Sequence, residues 1–250
     1  MAIGRLLVHA IGAATLAFSS LASTAQAYPK NCNDVMLQGY TTDGEYTIEP
    51  SVGIVFSVYC KDLAWGVSAP KDYLTLVKTG VDPVTGVESN FSTISVGGAW
   101  SGSTVKTSFT KIRIDPNNLI VDIGDLTFAT STGALTPNGG GSVTAVPYAV
   151  AGDCAGVGTG TGVANIDLTD LPFEVKSVFA TEGYNPAGSA NGTALTPNTL
   201  TQLVQAKVVN LTGGGYCGAT GPDGFSSSVI YWLYSQGGTT MPALKLRYRT

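Results

Sequence analysis

The chain has 250 residues, with 13 lysines and arginines against 17 aspartates and glutamates and a formal net charge of −4. That length suits one large domain or two small ones, and the acidic balance disfavours a nucleic-acid partner, which needs a basic face. Charged residues make up only 12%, about half the roughly 25% usual in soluble domains, while glycine reaches 32 residues against an average share of about 7%.

Residues 1–27 stand apart from the rest. They carry Arg5, an uncharged apolar stretch from Leu6 to about Leu21, and the small-residue ending Ala25-Gln26-Ala27. This is the layout of a secretory signal peptide. Ser19, Ser20, Ser23, Thr24 and Gln26 fill its far end, which argues against a retained membrane anchor. The expected product is an exported chain of residues 28–250, one domain, with no membrane association after cleavage. The single histidine of the chain, His9, leaves with the signal. What remains has no Ser-His-Asp triad, no Cys-His pair and no histidine-based metal site. Carboxylate pairs, Lys or Tyr chemistry and all-oxygen metal sites are the catalytic options left.

Beyond the signal the apolar runs are short, β-branched and closed by Gly, Pro, Asn or Asp. Val52 to Cys60 reads as a strand buried on both faces, and Tyr73 to Val77 as a second. Phe91 to Val96, Val105 to Ile114 and Leu119 to Ile123 follow at all-β spacing, with Asp115-Pro116-Asn117-Asn118 as the turn between the last two. Leu126 to Thr130, Val143 to Val150, Val163 to Leu168 and Phe173 to Phe179 complete the series. Thr199 to Leu211 fits a helical stripe through positions 200, 203, 204, 208 and 211, although Val208-Val209 suits a strand. Tyr231 to Tyr234 alternates as a strand would. At the end, Leu244, Leu246 and Tyr248 alternate with Lys245, Arg247 and Arg249, which predicts a half-buried strand with a cationic face at a sheet edge. Gly133 to Ser142, Gly156 to Gly162 and Gly213 to Gly224 read as flexible loops without a nucleotide-binding signature.

Four cysteines, Cys32, Cys60, Cys154 and Cys217, point to two disulfides in an oxidising compartment. Three connectivities are open, and pairing sequence neighbours gives Cys32 with Cys60 and Cys154 with Cys217. Zinc is the competing use, but no CxxC spacing occurs. The expected fold is all-β, a sandwich or barrel-like arrangement with long Gly-rich loops and at most one or two short helices.

Residues 31–76, NCNDVMLQGYTTDGEYTIEPSVGIVFSVYCKDLAWGVSAPKDYLTL, carry ordered landmarks: a cysteine, Asp-Gly-Glu-Tyr-Thr, Val-Tyr-Cys and Pro-x-x-Tyr-x-x-Leu. FTKIRIDP (109–116), DLTFA (125–129), VPYAVAGDC (146–154) and IDLTDLPFEV (166–175) continue the series. Together they resemble a GON domain, best over 31–175, with 176–250 as a divergent completion. GON domains are best known as the C-terminal module of some secreted ADAMTS-type zinc metalloproteinases and also occur in isolated bacterial proteins. The metalloendopeptidase and zinc-binding labels of that family belong to a separate catalytic domain with an HExxH-type motif, for which this chain has no histidine. Further cysteines of the animal pattern, between Tyr73 and Thr107 and shortly after Cys154, are absent. The resemblance thus implies a binding or structural module for extracellular protein, matrix or glycan, without a cofactor. A zinc-protease activity, a carboxylate hydrolase and a self-assembling lattice protein are the rivals.

Asp43 and Glu45, in Asp-Gly-Glu-Tyr, are candidate ligand residues, with an ordinary Asp-Gly turn between strands as the simpler role. Asp153, beside Cys154, is the third candidate, with an Asx-turn as the local alternative. Asp122 and Asp125 flank a turn at Gly124. No D-x-[DN]-x-[DN]-G loop gathers carboxylates for Ca²⁺. Trp65, Trp100 and Trp232 offer aromatic platforms for sugars or interfaces. Asn90, Asn191 and Asn210 head Asn-x-Ser/Thr sequons, relevant only in a eukaryotic secretory pathway.

Overall fold

A computed structural model describes residues 27–249 except 65, 67–68, 99, 137–140, 154–161, 196–200 and 223–242. Asn31 opens the single helix of the described residues, α1 (Cys32–Leu37): its extended backbone lets the side-chain oxygen accept from the Asp34 N–H at 3.0 Å. The helix ends one turn later at Gln38, and its apolar side, Cys32 and Val35, is fully buried.

All other regular elements are strands. The first five are β1 (Gly44–Ser51), β2 (Ile54–Lys61), β3 (Lys71–Thr75), β4 (Gly80–Val81) and β5 (Glu88–Ser89). Next come β6 (Phe91–Ser95), β7 (Ser101–Gly102), β8 (Val105–Phe109), β9 (Lys111–Asp115) and β10 (Ile120–Asp122). The chain continues through β11 (Ala129–Thr132), β12 (Leu135–Thr136), β13 (Ala151–Asp153), β14 (Gly162–Asp167) and β15 (Phe173–Ala190). The last four are β16 (Thr193–Leu195), β17 (Thr201–Ala206), β18 (Val208–Pro222) and β19 (Ala243–Tyr248). Fifteen of them join one sheet in the order β1-β2-β3-β9-β10-β19-β15-β18-β13-β6-β8-β11, with β14, β16 and β17 paired off this path. The sheet wraps a continuous core that includes Ile48, Val58, Phe109, Ile112, Ile123, Phe173, Val175 and Leu244. Phe56, Phe173 and Tyr248 stack edge to face at 4.8–5.7 Å and tie β2, β15 and β19 together.

The all-β expectation holds, and so does the Cys32–Cys60 disulfide, which pins α1 to β2. Cys154 and the side chain of Cys217 lie outside the described residues. The last described pair of the β13–β18 ladder, Asp153 opposite Gly218, is one position from each of those cysteines. Residues 1–26 of the expected signal peptide, Trp65, Trp232 and the strand expected at Tyr231 to Tyr234 also lie outside the described residues.

Several local expectations are corrected. β2 is buried on one face only, alternating from exposed Val55 to buried Phe56, exposed Ser57 and buried Val58. Val105 to Ile114 is two strands, broken at Thr110. Val143 to Val150 is no strand beyond the single bridge of Val143 to Leu135: Thr144 is exposed, Val146 to Val150 is buried, and Pro147 interrupts the run. Its N–H groups go elsewhere: Val146 to Thr107 Oγ1 (2.8 Å), Tyr148 to the Ile123 carbonyl (2.9 Å) and Val150 to Ser92 Oγ (3.3 Å). Of the helical stripe expected at Thr199 to Leu211, the described residues 201–211 instead form β17 and the start of β18, where Val204 and Val209 face the core and Leu203 and Val208 face out. β19 alternates as expected but is no edge: β10 flanks it on one side and β15 on the other. Of its cationic face, Arg247 is paired across the ladder, where its Nε donates to the buried Glu174 carboxylate at 2.5 Å.

The glycines of 213–222 belong to a strand and not to a loop. β15 and β18 form a long ribbon with a kink, where Gly183, Gly214 and Gly215 take φ of 145°, 143° and 91°. A Cβ at Gly213 would overlap the backbone of Ala151 and Thr220, so this approach of strands is open only to glycine.

Candidate functional site

The local chain geometry brings α1, the start of β3, the β9–β10 hairpin and Ala243 at the start of β19 around one concavity of about 620 Å³. That is within the roughly 300–1,000 Å³ range of small-molecule sites. Its polar rim is Asn31, Asn33, Lys71, Asp72, Arg113, Asp115, Asn117 and Asp122, and its apolar floor includes Pro70, Ile114, Pro116, Ile120, Val121 and Ala243. No aromatic ring of the described residues lines it.

Asp72 sits at the junction of the helix and the sheet. Its Oδ1 accepts the Cys32 N–H at 2.7 Å, which satisfies one of the unpaired donors at the start of α1. Burial pushes this carboxyl up to about 6, assisted by the charges of Asp115 and Asp34 and opposed by the Cys32 N–H and Arg113. Among the described residues Oδ2 of Asp72 has no hydrogen-bond partner, and neither has the Asn33 side chain.

The other charges of the rim are spoken for. Arg113 Nη1 lies 3.3 Å from Asp122 and 3.7 Å from Asp125. Lys71 Nζ stands 3.8 Å from Asp62. Asp115 accepts from the Asn117 backbone and side chain (2.9 and 3.0 Å) and from Asn118 Nδ2 (2.7 Å), which builds the expected Asp-Pro-Asn-Asn turn. Asp122 and Asp125 accept from the Gly124 and Thr127 N–H groups as Asx-turns (3.2 and 2.9 Å). Burial pushes Asp125 up, but Thr127, the Tyr73 hydroxyl at 3.0 Å and Arg113 outweigh it and hold the carboxyl below its ordinary range.

The three sequence candidates do not meet. Asp43 is exposed in the connection between α1 and β1, so its Asp-Gly step is not a turn between strands. It accepts the Leu63 N–H at 3.0 Å and pairs with Lys61 at 3.7 Å. Burial pushes the Asp43 carboxyl up, yet the Leu63 and Asp62 N–H groups and Lys61 together lower it. Glu45 accepts from the Thr75 hydroxyl and lines a smaller cavity of about 230 Å³ with Phe56 and Phe173. Asp153 is in a strand and not a turn. It is 2% exposed in β13, eight places from β1 in the strand order, with its carboxylate occupying the space where a Cβ at Gly214 would stand.

Sequence reasoning missed Asp72, Asn33, Arg113 and Asp115, although a signal was present. Asn31-Cys32-Asn33 opens the first stretch of the resemblance described above, Asp72 is inside its Pro-x-x-Tyr, and Arg113 and Asp115 are inside FTKIRIDP. Three landmarks far apart in sequence therefore line one cavity. A zinc site has no donor set to match it: the one ligand-like cluster of the described residues is Cys32, Cys60 and Asp72, and both sulfurs are consumed in the disulfide.

Asn90, the first sequon, is fully buried. Its amide donates to the Lys78 and Asp167 carbonyls (2.7 and 2.8 Å), and its oxygen accepts from the Tyr148 hydroxyl (2.5 Å) and the Asp167 N–H (3.0 Å). No hydrogen remains for a glycan. Asn191 and Asn210 are exposed. No helix of the described residues is long and apolar enough to cross a membrane.

Comparison with curated proteins gives no match, and comparison with solved structures gives none. A family model, that of the GON domain, matches residues 98–228, which includes the β9–β10 wall of the cavity and runs past Val175 to most of the β15–β18 ribbon. That span is more than half of the chain, and the chain belongs to the GON domain family.

Proposed function

We propose that the chain is a secreted, GON-type module that binds an extracellular protein, matrix component or glycan and performs no chemistry of its own. The cavity between α1, β3 and the β9–β10 hairpin carries this reading: it has the size of a ligand site, while its arginine, its lysine and two of its three aspartates are held in internal pairs. Groups held in this way recognise a ligand by shape and hydrogen bonding and are poorly placed to move protons. The absence of histidine from residues 28–250 supports the same reading.

The test is a glycan array and an extracellular-protein pull-down with the full chain, run beside a panel of peptide and glycoside substrates. Retention without turnover is expected; chelator-sensitive proteolysis would overturn the proposal. One observation favours a second reading. Asp72, pushed up to about 6 in a concavity shared with Asp115, is in the range of a carboxylic general acid. Glycoside turnover that is abolished by Asp72→Asn would place the chain among carboxylate hydrolases.

A further inference from the structure

Resting on the reading of the chain as a binding module, we propose that the cavity between α1 and the β9–β10 hairpin is a subsite for a neutral sugar unit, gripped by Asp72, Asn33 and Asn31 and bedded on Pro70, Ile120 and Ala243. The cavity holds as many as five charged groups, and four of the charges are met from within: Arg113 and Asp122 by each other, Arg113 also by Asp125, Lys71 by Asp62, and Asp115 by the amides of Asn117 and Asn118. A ligand charge directed at any of these four would have to displace a contact already made. What stays open is a set of single, unsaturated hydrogen-bonding groups.

Among the described residues these are Oδ2 of Asp72, both side-chain atoms of Asn33 and the Nδ2 of Asn31, whose oxygen is committed to the Asp34 N–H. One carboxylate oxygen accepts, one amide both accepts and donates, and one amide nitrogen donates. Hydroxyl groups, which donate and accept at once, complement such a mixture better than an ammonium or a carboxylate does. The carbon face of a pyranose is apolar and finds the part-exposed Pro70, Ile120 and Ala243 in the same lining. With no aromatic ring of the described residues in the lining, stacking adds nothing, so affinity rests on hydrogen bonds. Occupancy at millimolar concentrations of a free monosaccharide is the expected regime, with multivalent display raising it.

The test titrates the full chain with N-acetylglucosamine, mannose and galactose, and with glucosamine and glucuronate as charged counterparts, reading side-chain amide signals by NMR and binding by saturation transfer. A neutral sugar is expected to shift the Asn31 and Asn33 amides. Asp72→Asn is expected to weaken binding at least tenfold, as loss of a hydrogen bond to a charged group does. Asn33→Ala keeps the assay independent of folding, since Asn33 is an exposed helix position where alanine is favoured; it is expected to weaken binding several-fold with unchanged unfolding. Tighter binding of glucosamine or glucuronate than of every neutral sugar would overturn the ligand class. Sugar binding that both variants leave intact would overturn the site. Binding of an extracellular protein with no sugar response would overturn this inference and leave the binding module standing, whereas failure of every ligand would remove both.

Discussion

Asp72→Asn also probes the stability of the site, and the direction of the effect follows from its electrostatics. Burial is the largest influence on the Asp72 carboxyl and pushes it up to about 6 from an ordinary 3.8. Asp115 on β9 and Asp34 on α1 push the same way, while the Cys32 N–H and Arg113 oppose them. A carboxyl whose folded pKa is raised binds its proton more tightly in the folded chain than in the unfolded one. The stability this contributes is full below the unfolded pKa, is lost as pH rises from about 4 through about 6, and is absent above. A separation of roughly two units at 1.36 kcal/mol each amounts to about 3 kcal/mol. Asparagine keeps an oxygen for the Cys32 N–H and has no charge to desolvate, so it mimics the protonated acid. The variant is expected to match the parent near pH 4 and to exceed it by up to about 3 kcal/mol at neutral pH. Urea unfolding at a series of pH values, read as the transition midpoint, measures the difference directly. Parallel pH profiles, or a variant less stable than the parent at neutral pH, would refute the claim that Asp72 is held ionised against its desolvation.

Asn90→Ala removes four hydrogen bonds inside the core and strands the Tyr148 hydroxyl and two carbonyls; a loss of about 3 kcal/mol or more is expected by denaturant unfolding. Replacing Cys32 and Cys60 together by serine opens a loop with a sequence separation of 28 and frees α1 from β2. A loss of roughly 2–5 kcal/mol is expected, with early protease cleavage of the N-terminal segment. Gly213→Ala drives a methyl into the Ala151 and Thr220 backbones, and a thermal scan should show a loss of at least about 2 kcal/mol where a neutral loop glycine would show almost none. Non-reducing peptide mapping is expected to recover Cys154 joined to Cys217, in keeping with the ladder that brings Asp153 opposite Gly218.

What was legible in the sequence was whatever depends on neighbours within a few residues. The alternation of Val105 to Phe109 and of Leu244 to Tyr248 shows one face buried and one exposed, and the Asp115 turn announces itself through Asp, Pro and Asn. Pairing partners are a different matter. Arg247 looks like an edge cation until Glu174, far away in sequence, comes to lie opposite it. The glycines of 213–218 resemble a loop because nothing local reveals that Ala151 and Thr220 come into backbone contact there. The cavity was hidden for the same reason: Asn33, Asp72 and Arg113 carry no signature together until α1 is clamped to β2 and β3 pairs with β9.

The convergence of three landmarks on this cavity admits a purely structural explanation, since Asp72 ties down the Cys32 N–H and Asp115 shapes a turn. The energetics separate the two explanations. A residue kept only for the fold ought to stabilise it, and the turn aspartates meet that standard, because each accepts local N–H groups at the surface. Asp72 does not: its ionised form carries a desolvation burden at neutral pH that asparagine would avoid while retaining the bond to Cys32. A residue that lowers stability relative to an isosteric replacement, and lines a concavity of about 620 Å³ with one carboxylate oxygen outside the hydrogen bonds of the described residues, has the profile of a binding group. The decisive combination is therefore a single variant measured twice. Asp72→Asn that gains stability and loses the sugar assigns the landmark to recognition, while a variant that loses both assigns it to the fold.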